Sequence, residues 1–320
     1  MSKRHPLLAQ AFALSNAGRN AEAVLIVSRL AAEGEPEALY TFAEMKWRGG
    51  MVPQDPLQGR EYFRRASEAG HSLATIYYTN LLASGVAGPR DWPEAMRRLE
   101  REAKRDRARR RTLELIERMA LTDAGDPVSI PPAEERSAEP SVRTIGRLLT
   151  AAECDYLMAV AEPLYSPSIV YDAQRRAVRD TIRTSDGSTI HWLIEDPAVH
   201  ALNRRLGAAT DTSAEQGEAL QILRYRPGQQ YRNHLDFVQS SENQRDQTAL
   251  VYLNHDFQGG ETCFVKTGLK VKGRKGDALI FRNATLDRRP DPLSEHAGLP
   301  VTRGTKYLAS RWIREKRWAP

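Results

Sequence analysis

The stretch LQILRYRPGQQYRNHLDFV, residues 220–238, decides the fold of the second half of the chain. It opens with the short β-type run LQILRY, and His234 and Asp236 follow two positions apart. Side chains two residues apart on a strand leave the same face. An imidazole and a carboxylate at this strand or strand end can therefore meet one metal ion.

A third donor comes from His296, in the phrase LSEHAGLP, 60 residues after Asp236. This separation leaves room for several strands that return the chain to the first pair in a closed barrel. Two imidazoles and one carboxylate on one face of an octahedron are typical of non-haem Fe(II) oxygenases, and three positions stay open. A histidine and an aspartate two apart are common by chance, so the metal site also depends on its context.

Lys306 supplies that context, ten residues after His296 on the predicted strand KYLASRWI. A cation there can bind the distal carboxylate of a 2-oxo acid that chelates the metal. Burying a lysine without a partner is costly, so a carboxylate ligand explains its place in a barrel strand.

Short β-type runs dominate from Ala219 onward, and Gly, Asn, Asp and Pro turns separate them. This spacing predicts an antiparallel sandwich or barrel. With the helical pattern of the first part, the fold class is α+β multidomain. The runs are ALQILRY, TALVYL, TCFVK, LKVK, DALIF and KYLASRWI.

Residues 142–318 resemble the prolyl 4-hydroxylase group of 2-oxoglutarate oxygenases along nearly their whole length. The resemblance implies a double-stranded β-helix (jelly-roll) fold, Fe(II), 2-oxoglutarate and O2, and ascorbate as a reductant. The matching phrases are AAECDYLM, IRTSDG, LQILRYRPGQQYRNHLD, ALVYLN, GGETCF, GDALIF and EHAGLPVTRGTKYLASRWIR.

The same resemblance implies roles for single residues. Iron is expected at His234, Asp236 and His296, with Lys306, Tyr225 and Thr262 at the cosubstrate, and Tyr231, Trp312 and Arg183 on the substrate side.

Plainer interpretations stay open for several of these and for other reactive residues. Tyr225 and Trp312 can be core aromatics, Thr262 an ordinary strand residue and Arg183 a surface ion-pair member. Other residues are expected to be ordinary, because they lack ligand spacing or fit a strand as small hydrophobes; they are His191, His200, His255 and Cys263.

Residues 1–121 show a helical pattern with an internal repeat, in which a shift of 36 positions superposes residues 35–70 on 71–106. Each unit is predicted to be two helices, in which a glycine closes the first helix and a Pro and Asp segment leads into the second. The phrases ALYTFAEMKWRGGMVPQDPLQGREYFRRASEAG and LATIYYTNLLASGVAGPRDWPEAMRRLEREA resemble Sel1-like repeats, relatives of the tetratricopeptide family. Such repeats stack into a solenoid that receives a peptide or protein, although a purely supporting role is an equal alternative.

The paired positions of the repeat share size and character. They are Ala38 with Ala74, Phe42 with Tyr78, Met45 with Leu81, Gly49 with Gly85, Asp55 with Asp91, and Phe63 with Leu99.

Residues 122–141, rich in Pro, Ala and acidic residues, are predicted to be a linker. The dioxygenase domain is then 142–320, with a core at about 216–316. At its start, RTIGRLLTAAECDYLMAVAE predicts a short strand, a Thr150 cap and an amphipathic helix.

Charge and cysteine content bear on location and partners. The chain carries 47 Lys and Arg against 41 Asp and Glu, and much of the excess lies between Arg97 and Arg111. Acidic residues three or four positions away predict a solvated helix with ion pairs, while a polyanion site is the alternative. Two isolated cysteines, no long apolar run and an amino-terminal stretch too short and polar for export indicate a cytoplasmic protein outside the membrane.

The leading function is hydroxylation of prolyl residues in a protein or peptide that the helical repeats help to dock. An oxygenase that acts on another side chain, a free amino acid or nucleic acid is the first alternative. The second is a non-catalytic repeat scaffold with a relic barrel, and the intact set of ligands and Lys306 argues against it.

Overall fold

The computed structural model describes residues 5–171, 177–179, 182–239, 241–285 and 287–318. Lys3 and Arg4, which belong to the amino-terminal stretch considered for export, lie outside the described residues. The chain divides into two compact units. The first consists of the described part of Met1–Ile116 together with Trp192–His200, and the second of the described parts of Glu117–His191 and Ala201–Ala319.

The predicted domain boundaries stay predictions, although one segment of the second predicted domain packs in the first unit. Within that unit the Asn80 Nδ2 donates a hydrogen bond of 2.8 Å to the Leu193 carbonyl. Arg109 Nη1 donates to the Asn80 Oδ1 at 3.0 Å, so the side chain that binds this segment is itself held in place.

Helices make up most of the first unit. None of the helices in the described ranges is long and apolar enough to cross a membrane. The α-helices of the first part of the chain are α1 Pro6–Asn16, α2 Asn20–Ala32, α3 Pro36–Arg48, α4 Pro56–Glu68, α5 Ser72–Ser84, α6 Trp92–Ala103 and α7 Arg107–Ile116. Later in the chain lie α8 Ala151–Ala161 and α9 Pro197–Ala209, with short 3-10 helices at Glu162–Leu164, Ala214–Gln216 and Pro292–Ser294.

Equivalent positions of the sequence repeat have equivalent local structure. Asp55 and Asp91 cap α4 and α6 by accepting from the backbone N–H three residues on, at 2.9 and 3.0 Å. Gly49 and Gly85 end α3 and α5 with φ of 74° and 70°, a left-handed region that favours glycine. The same residue types therefore start and stop the helices of both sequence repeats.

The basic block lies on α6 and α7, and ion pairs cross it as predicted. Glu94 contacts Arg97 at 2.9 Å and Arg101 at 3.3 Å, and Glu102 contacts Arg109 at 2.6 Å. The prediction of a fully solvated face is wrong for Arg109, which is buried because it pairs with Glu102 and Asn80 inside the unit.

The second unit is built on antiparallel strands. They are β1 Ala133–Ser137, β2 Val142–Ile145, β3 Ser166–Pro167, β4 Ile169–Tyr171, β5 Ala177–Arg179, β6 Asp186–Ile190, β7 Leu220–Tyr225, β8 Tyr231–His234, β9 Arg245–Tyr252, β10 Gln258–Gly259, β11 Thr262–Phe264, β12 Lys270–Val271, β13 Ala278–Arg282, β14 His296–Gly298, β15 Val301–Arg303 and β16 Lys306–Arg314.

These strands form a large and a small sheet with two short pairs. The eight-stranded sheet has the order β1-β2-β13-β9-β16-β7-β6-β3, and the four-stranded sheet the order β12-β11-β14-β8. The short pairs are β10-β15 and β4-β5. All the runs predicted from Ala219 onward contain strands.

The apolar core of the second unit draws side chains from both sheets. Leu223, Tyr252 and Leu279 come from the large sheet, and Phe264 and Val271 from the small one. Residues that alternate with them along each strand point away, as the period of two requires. The small sheet carries β8 and β14, so this core fixes the backbone on which His234 and His296 stand.

The predicted linker, residues 122–141, is partly ordered as a strand. It contains β1, which pairs with β2, so part of it belongs to the large sheet.

The predicted Thr150 cap at the start of α8 is present as a capping box. Thr150 Oγ1 accepts from the Glu153 N–H at 3.3 Å, and Glu153 Oε2 accepts from the Thr150 N–H at 2.7 Å.

Candidate active site

His234, Asp236 and His296 come together at one end of the small sheet. His234 ends β8, His296 begins β14, and the two are direct cross-strand partners. Asp236 lies two residues beyond β8, with its Oδ1 3.6 Å from His234 Nε2 and its Oδ2 3.8 Å from His296 Nε2. One donor atom from each residue lies within 4.8 Å of the other two.

Backbone carbonyls orient both imidazoles in the same way. His234 Nδ1 lies 2.8 Å from the Arg232 carbonyl and His296 Nδ1 lies 2.9 Å from the Ser294 carbonyl. A carbonyl accepts, so Nδ1 carries the proton and Nε2 presents its lone pair to the cluster.

Asp236 is buried and is held by a polar network. Thr248 Oγ1 donates to Asp236 Oδ2 at 2.6 Å, and Asn283 Nδ2 donates to the Thr248 hydroxyl at 3.0 Å. Sequence reasoning missed Thr248 and Asn283. The predicted strand TALVYL indicates which face of the sheet the Thr248 side chain lies on. It does not indicate which side chain Thr248 contacts, because that depends on the register between strands.

The protonation states suit a metal. Burial and the neighbouring His296 lower the pKa of His234 to about 4. Burial works in the opposite direction on Asp236, but His296, His234 and the Thr248 hydroxyl keep the pKa of its carboxyl below its ordinary value. At neutral pH His234 is a neutral imidazole and Asp236 a carboxylate, the forms that coordinate metals.

This donor set fits Fe(II). Two imidazole nitrogens and one carboxylate on one face match the ligands of non-haem iron oxygenases, which keep open positions for small ligands. A tetrahedral structural zinc site, in contrast, would have a fourth protein ligand, and the cluster contains three residues among those that the structure describes.

Lys306 is buried in the same cavity. Its Nζ donates to the Gly260 carbonyl at 2.7 Å and lies 5.5 Å from the ring centroids of Tyr225 and of Tyr252. No carboxylate of the described residues is within ion-pair distance, and burial lowers the pKa of Lys306 to about 8. A buried ammonium of this kind can donate hydrogen bonds to the carboxylate of a ligand and pair with its charge.

Tyr225 and Thr262 line the cavity with Lys306. Tyr225 is the cross-strand partner of Lys306, and burial raises the pKa of its phenol to about 12, so it stays a hydrogen-bond donor. The Thr262 hydroxyl lies 3.4 Å from the hydroxyl of Tyr252, a buried residue that sequence reasoning did not single out. The lining residues are Arg183, Leu223, Tyr225, Tyr231, His234, Asp236, Leu250, Thr262, His296, Gly298, Lys306, Leu308, Ser310 and Trp312.

The three residues expected on the substrate side also line this cavity. The Tyr231 ring stacks on His234, with centroids 3.5 Å apart and planes at 15°, and the Arg183 guanidinium lies 5.6 Å from the Tyr231 ring centroid. Trp312 is buried beneath Arg245, whose guanidinium carbon lies 3.7 Å from its ring centroid. The Trp312 Nε1 has no hydrogen-bond partner among the described residues.

The remaining histidines and cysteines lie outside the cluster. His200 Nδ1 is 2.6 Å from the Glu195 carboxylate and is buried, which fits a structural role. Cys154 is buried, Cys263 is half-buried on β11, and both are free thiols.

Comparisons with known proteins agree with this geometry. Residues 220–314 match the family model described as the 2OG-Fe(II) oxygenase superfamily. Prolyl 4-hydroxylase 1 of Arabidopsis thaliana is 35% identical over 200 residues, which cover 56% of this chain and 71% of the relative. Prolyl 4-hydroxylase 2 of the same plant is 34% identical over 204 residues, covering 55% and 68%.

Solved structures are also similar. The viral collagen prolyl hydroxylase of Paramecium Bursaria Chlorella virus-1, in its 2-oxoglutarate complex, is 28% identical with a TM-score of 0.43, covering 54% of this chain and 95% of that chain. A Pseudomonas putida prolyl-4-hydroxylase is 22% identical with a TM-score of 0.42, covering 56% and 95%.

Proposed function

Because this chain belongs to the prolyl 4-hydroxylase family of Fe(II)- and 2-oxoglutarate-dependent oxygenases, we propose that it hydroxylates prolyl residues of a protein or peptide. It is a 2-oxoglutarate-dependent dioxygenase that uses Fe(II) and O2. The single observation that carries the proposal is one cavity that holds both the three-donor cluster and the buried, carboxylate-free Lys306.

His234, Asp236 and His296 would hold the iron. Their carbonyl and hydroxyl partners set the ligand directions before metal arrives, so little reorganisation is needed on binding. Bound Fe(II) with 2-oxoglutarate would activate O2, with one oxygen atom going to succinate as CO2 leaves and the other to a C–H bond of the substrate.

Lys306 would bind the distal carboxylate of 2-oxoglutarate, and Tyr225 and Thr262 would add hydrogen bonds beside it. The pairing of a cation with a carboxylate repays the burial of both charges and fixes the cosubstrate relative to the metal. Ascorbate is proposed as a reductant.

Tyr231, Trp312 and Arg183 would position the polypeptide. Aromatic faces suit the apolar ring of proline, and the buried N–H of Trp312 is available for a substrate carbonyl. A buried donor without a hydrogen-bond partner destabilises the folded protein. A substrate carbonyl that accepts from the Trp312 N–H would remove this cost.

The helices of the first unit are proposed to be Sel1-like repeats in a short solenoid that helps to dock the substrate. The shared caps at Asp55 and Asp91 and at Gly49 and Gly85 support this assignment. The two sheets with their common core support a double-stranded β-helix for the second unit. The boundaries 1–121, 122–141 and 142–320 and the cytoplasmic location stay predictions.

The function is tested with the purified full chain, Fe(II), 2-oxoglutarate and a proline-rich peptide. We expect succinate formation and a peptide heavier by one oxygen atom, and loss of both in His234→Ala and Asp236→Ala. His255→Ala, outside the cluster, is the matched control and keeps full turnover. Unchanged turnover in the two ligand variants would overturn the metal assignment.

The natural substrate is found by mass spectrometry of proteomes from cells with and without the gene. A prolyl peptide that loses one oxygen atom in the deletion supports the proposal. Loss of oxygen only from peptides modified at other side chains would contradict prolyl hydroxylation.

A further inference from the structure

A basic cavity of about 740 Å³ lies in the second unit, and it shares no lining residue with the candidate active site. Strands β1 and β2 and the segment 270–278 line it. Acidic lining residues are Glu134 and Asp277. The basic lining residues outnumber them and are Arg136, Arg147, Lys270, Lys272, Arg274 and Lys275.

The segment KVKGR, residues 270–274, supplies three of the basic side chains, because its cationic residues alternate with residues that face the core. Val271 packs in the core, and a Cβ at Gly273 would overlap the ring of the buried Tyr252. The alternate residues Lys270, Lys272 and Arg274 are exposed. Inward residues therefore anchor the segment while outward ones present cations on one side.

Several of these cations have no internal counter-ion. Among the described residues, no acid lies within ion-pair distance of Arg136, Arg147, Lys270 or Arg274. The nearby Asp277 carboxylate is engaged by the backbone N–H groups of Arg147 and Arg274, at 2.9 and 2.8 Å. The cavity therefore has a positive field that favours an anionic occupant.

Two sheet edges border the cavity. β1 is the terminal strand of the large sheet and β12 the terminal strand of the small sheet, so each has an open side among the described strands. Open strand edges present backbone N–H and C=O groups that an extended polypeptide can pair with.

We propose that this cavity binds an acidic segment of a polypeptide in extended conformation. The volume exceeds what one inorganic anion fills, and the cations lie on β1, on β12 and in the segments that follow β2 and β12, so they are spaced apart as a chain of carboxylates requires. A single-stranded nucleic acid would need accessible aromatic faces for its bases, whereas the lining Tyr252 is 0% exposed. The binding does not depend on catalysis, and its test is separate from turnover.

The test measures anisotropy of a fluorescein-labelled octaglutamate peptide on the full chain. The triple variant Arg136→Glu, Lys270→Glu, Arg274→Glu is compared with Lys104→Glu, Arg105→Glu, Arg107→Glu, a control with the same change in net charge at exposed residues of the first unit. We expect affinity to fall about tenfold or more in the first variant and to change less than about twofold in the control.

Further arms decide between occupants. Octaglutamine should not bind, and added salt should weaken octaglutamate binding. Equal loss in both triple variants, tighter binding of an eight-residue oligothymidylate at the same cavity, or displacement of the peptide by equimolar inorganic phosphate would each overturn the proposal. Retained 2-oxoglutarate turnover shows that the variants are folded.

Discussion

Lys306 combines burial with a positive charge, and this combination makes cosubstrate binding sensitive to pH. Its Nζ has the Gly260 carbonyl and two aromatic rings around it in place of water. Burial favours the neutral amine and lowers the pKa to about 8, so the free enzyme loses this charge near the upper end of the physiological range.

We predict that the Kd for 2-oxoglutarate rises above about pH 8. A carboxylate binds the protonated amine, so each pH unit above this pKa weakens binding up to about tenfold, while binding below it is unaffected by Lys306. Isothermal titration at several pH values measures the effect. Lys306→Arg stays charged and should give a flat profile with weaker binding, and a flat profile in the unmodified protein would contradict the prediction.

On the proposed ligand set, Thr248 acts on the metal through its hydrogen bond to Asp236. Thr248→Val removes the 2.6 Å hydrogen bond to Asp236 Oδ2 and leaves the carboxylate free to turn, so we expect metal affinity to fall about 10- to 100-fold. Metal titration of 2-oxoglutarate turnover measures this. Thr248→Ser retains the hydroxyl and should restore affinity, and an equal loss in both variants would assign the effect to packing.

The candidate site residues His234, Asp236, His296 and Lys306 could be picked out from the sequence, because the period of a strand and the chemistry of metal and carboxylate binding limit which residue types and spacings are suitable. The residues that hydrogen-bond to them could not be predicted. Thr248 and Asn283 meet because β9 pairs with β13 in one register, and nothing in the local sequence of either residue shows that register.

At the scale of elements, local signals predicted the helical pattern of residues 1–121, the helix α8 and the strands in the six β-type runs from Ala219 onward. They did not predict α9 or several short strands of the second unit, among them β1. Proline, aspartate and glycine at fixed offsets bound the repeated helices, and Thr150 with Glu153 starts α8. β1 was missed because AEERS is polar and exposed, and only its pairing with β2 makes it a strand. The burial of Arg109 was missed for the same reason, because tertiary partners decided it.

The capping box of α8 gives a prediction about stability. Thr150→Ala removes the acceptor for the Glu153 N–H, and we expect a loss of about 1 kcal/mol in the free energy of unfolding. Urea denaturation measures it. Thr150→Ser keeps the acceptor and should be within about 0.5 kcal/mol of the unmodified protein. A loss of less than about 0.5 kcal/mol in the free energy of unfolding of Thr150→Ala would show that the cap does not stabilise the fold.

At the scale of the whole molecule, metal and cosubstrate binding should couple to stability. Ligands that bind only the folded state stabilise it by about 2.7 kcal/mol at a hundred times their Kd. We predict that Mn(II) with 2-oxoglutarate raises the Tm by several degrees and that a chelator reverses this. His296→Ala should show no such shift, and an equal shift in that variant would place the metal elsewhere.

On the proposed ligand set, the cross-strand pairing of His234 with His296 also determines when the chain can bind its metal. The donors on either side of the long connection, Asp236 and His296, are 60 positions apart in the chain. A ribosome must therefore complete the strands between them, and the loop must close at its entropic cost, before a full set of donors exists. On the proposed ligand set we predict that iron binds late in biogenesis, because a chain that stops before β14 lacks His296 and therefore the third donor.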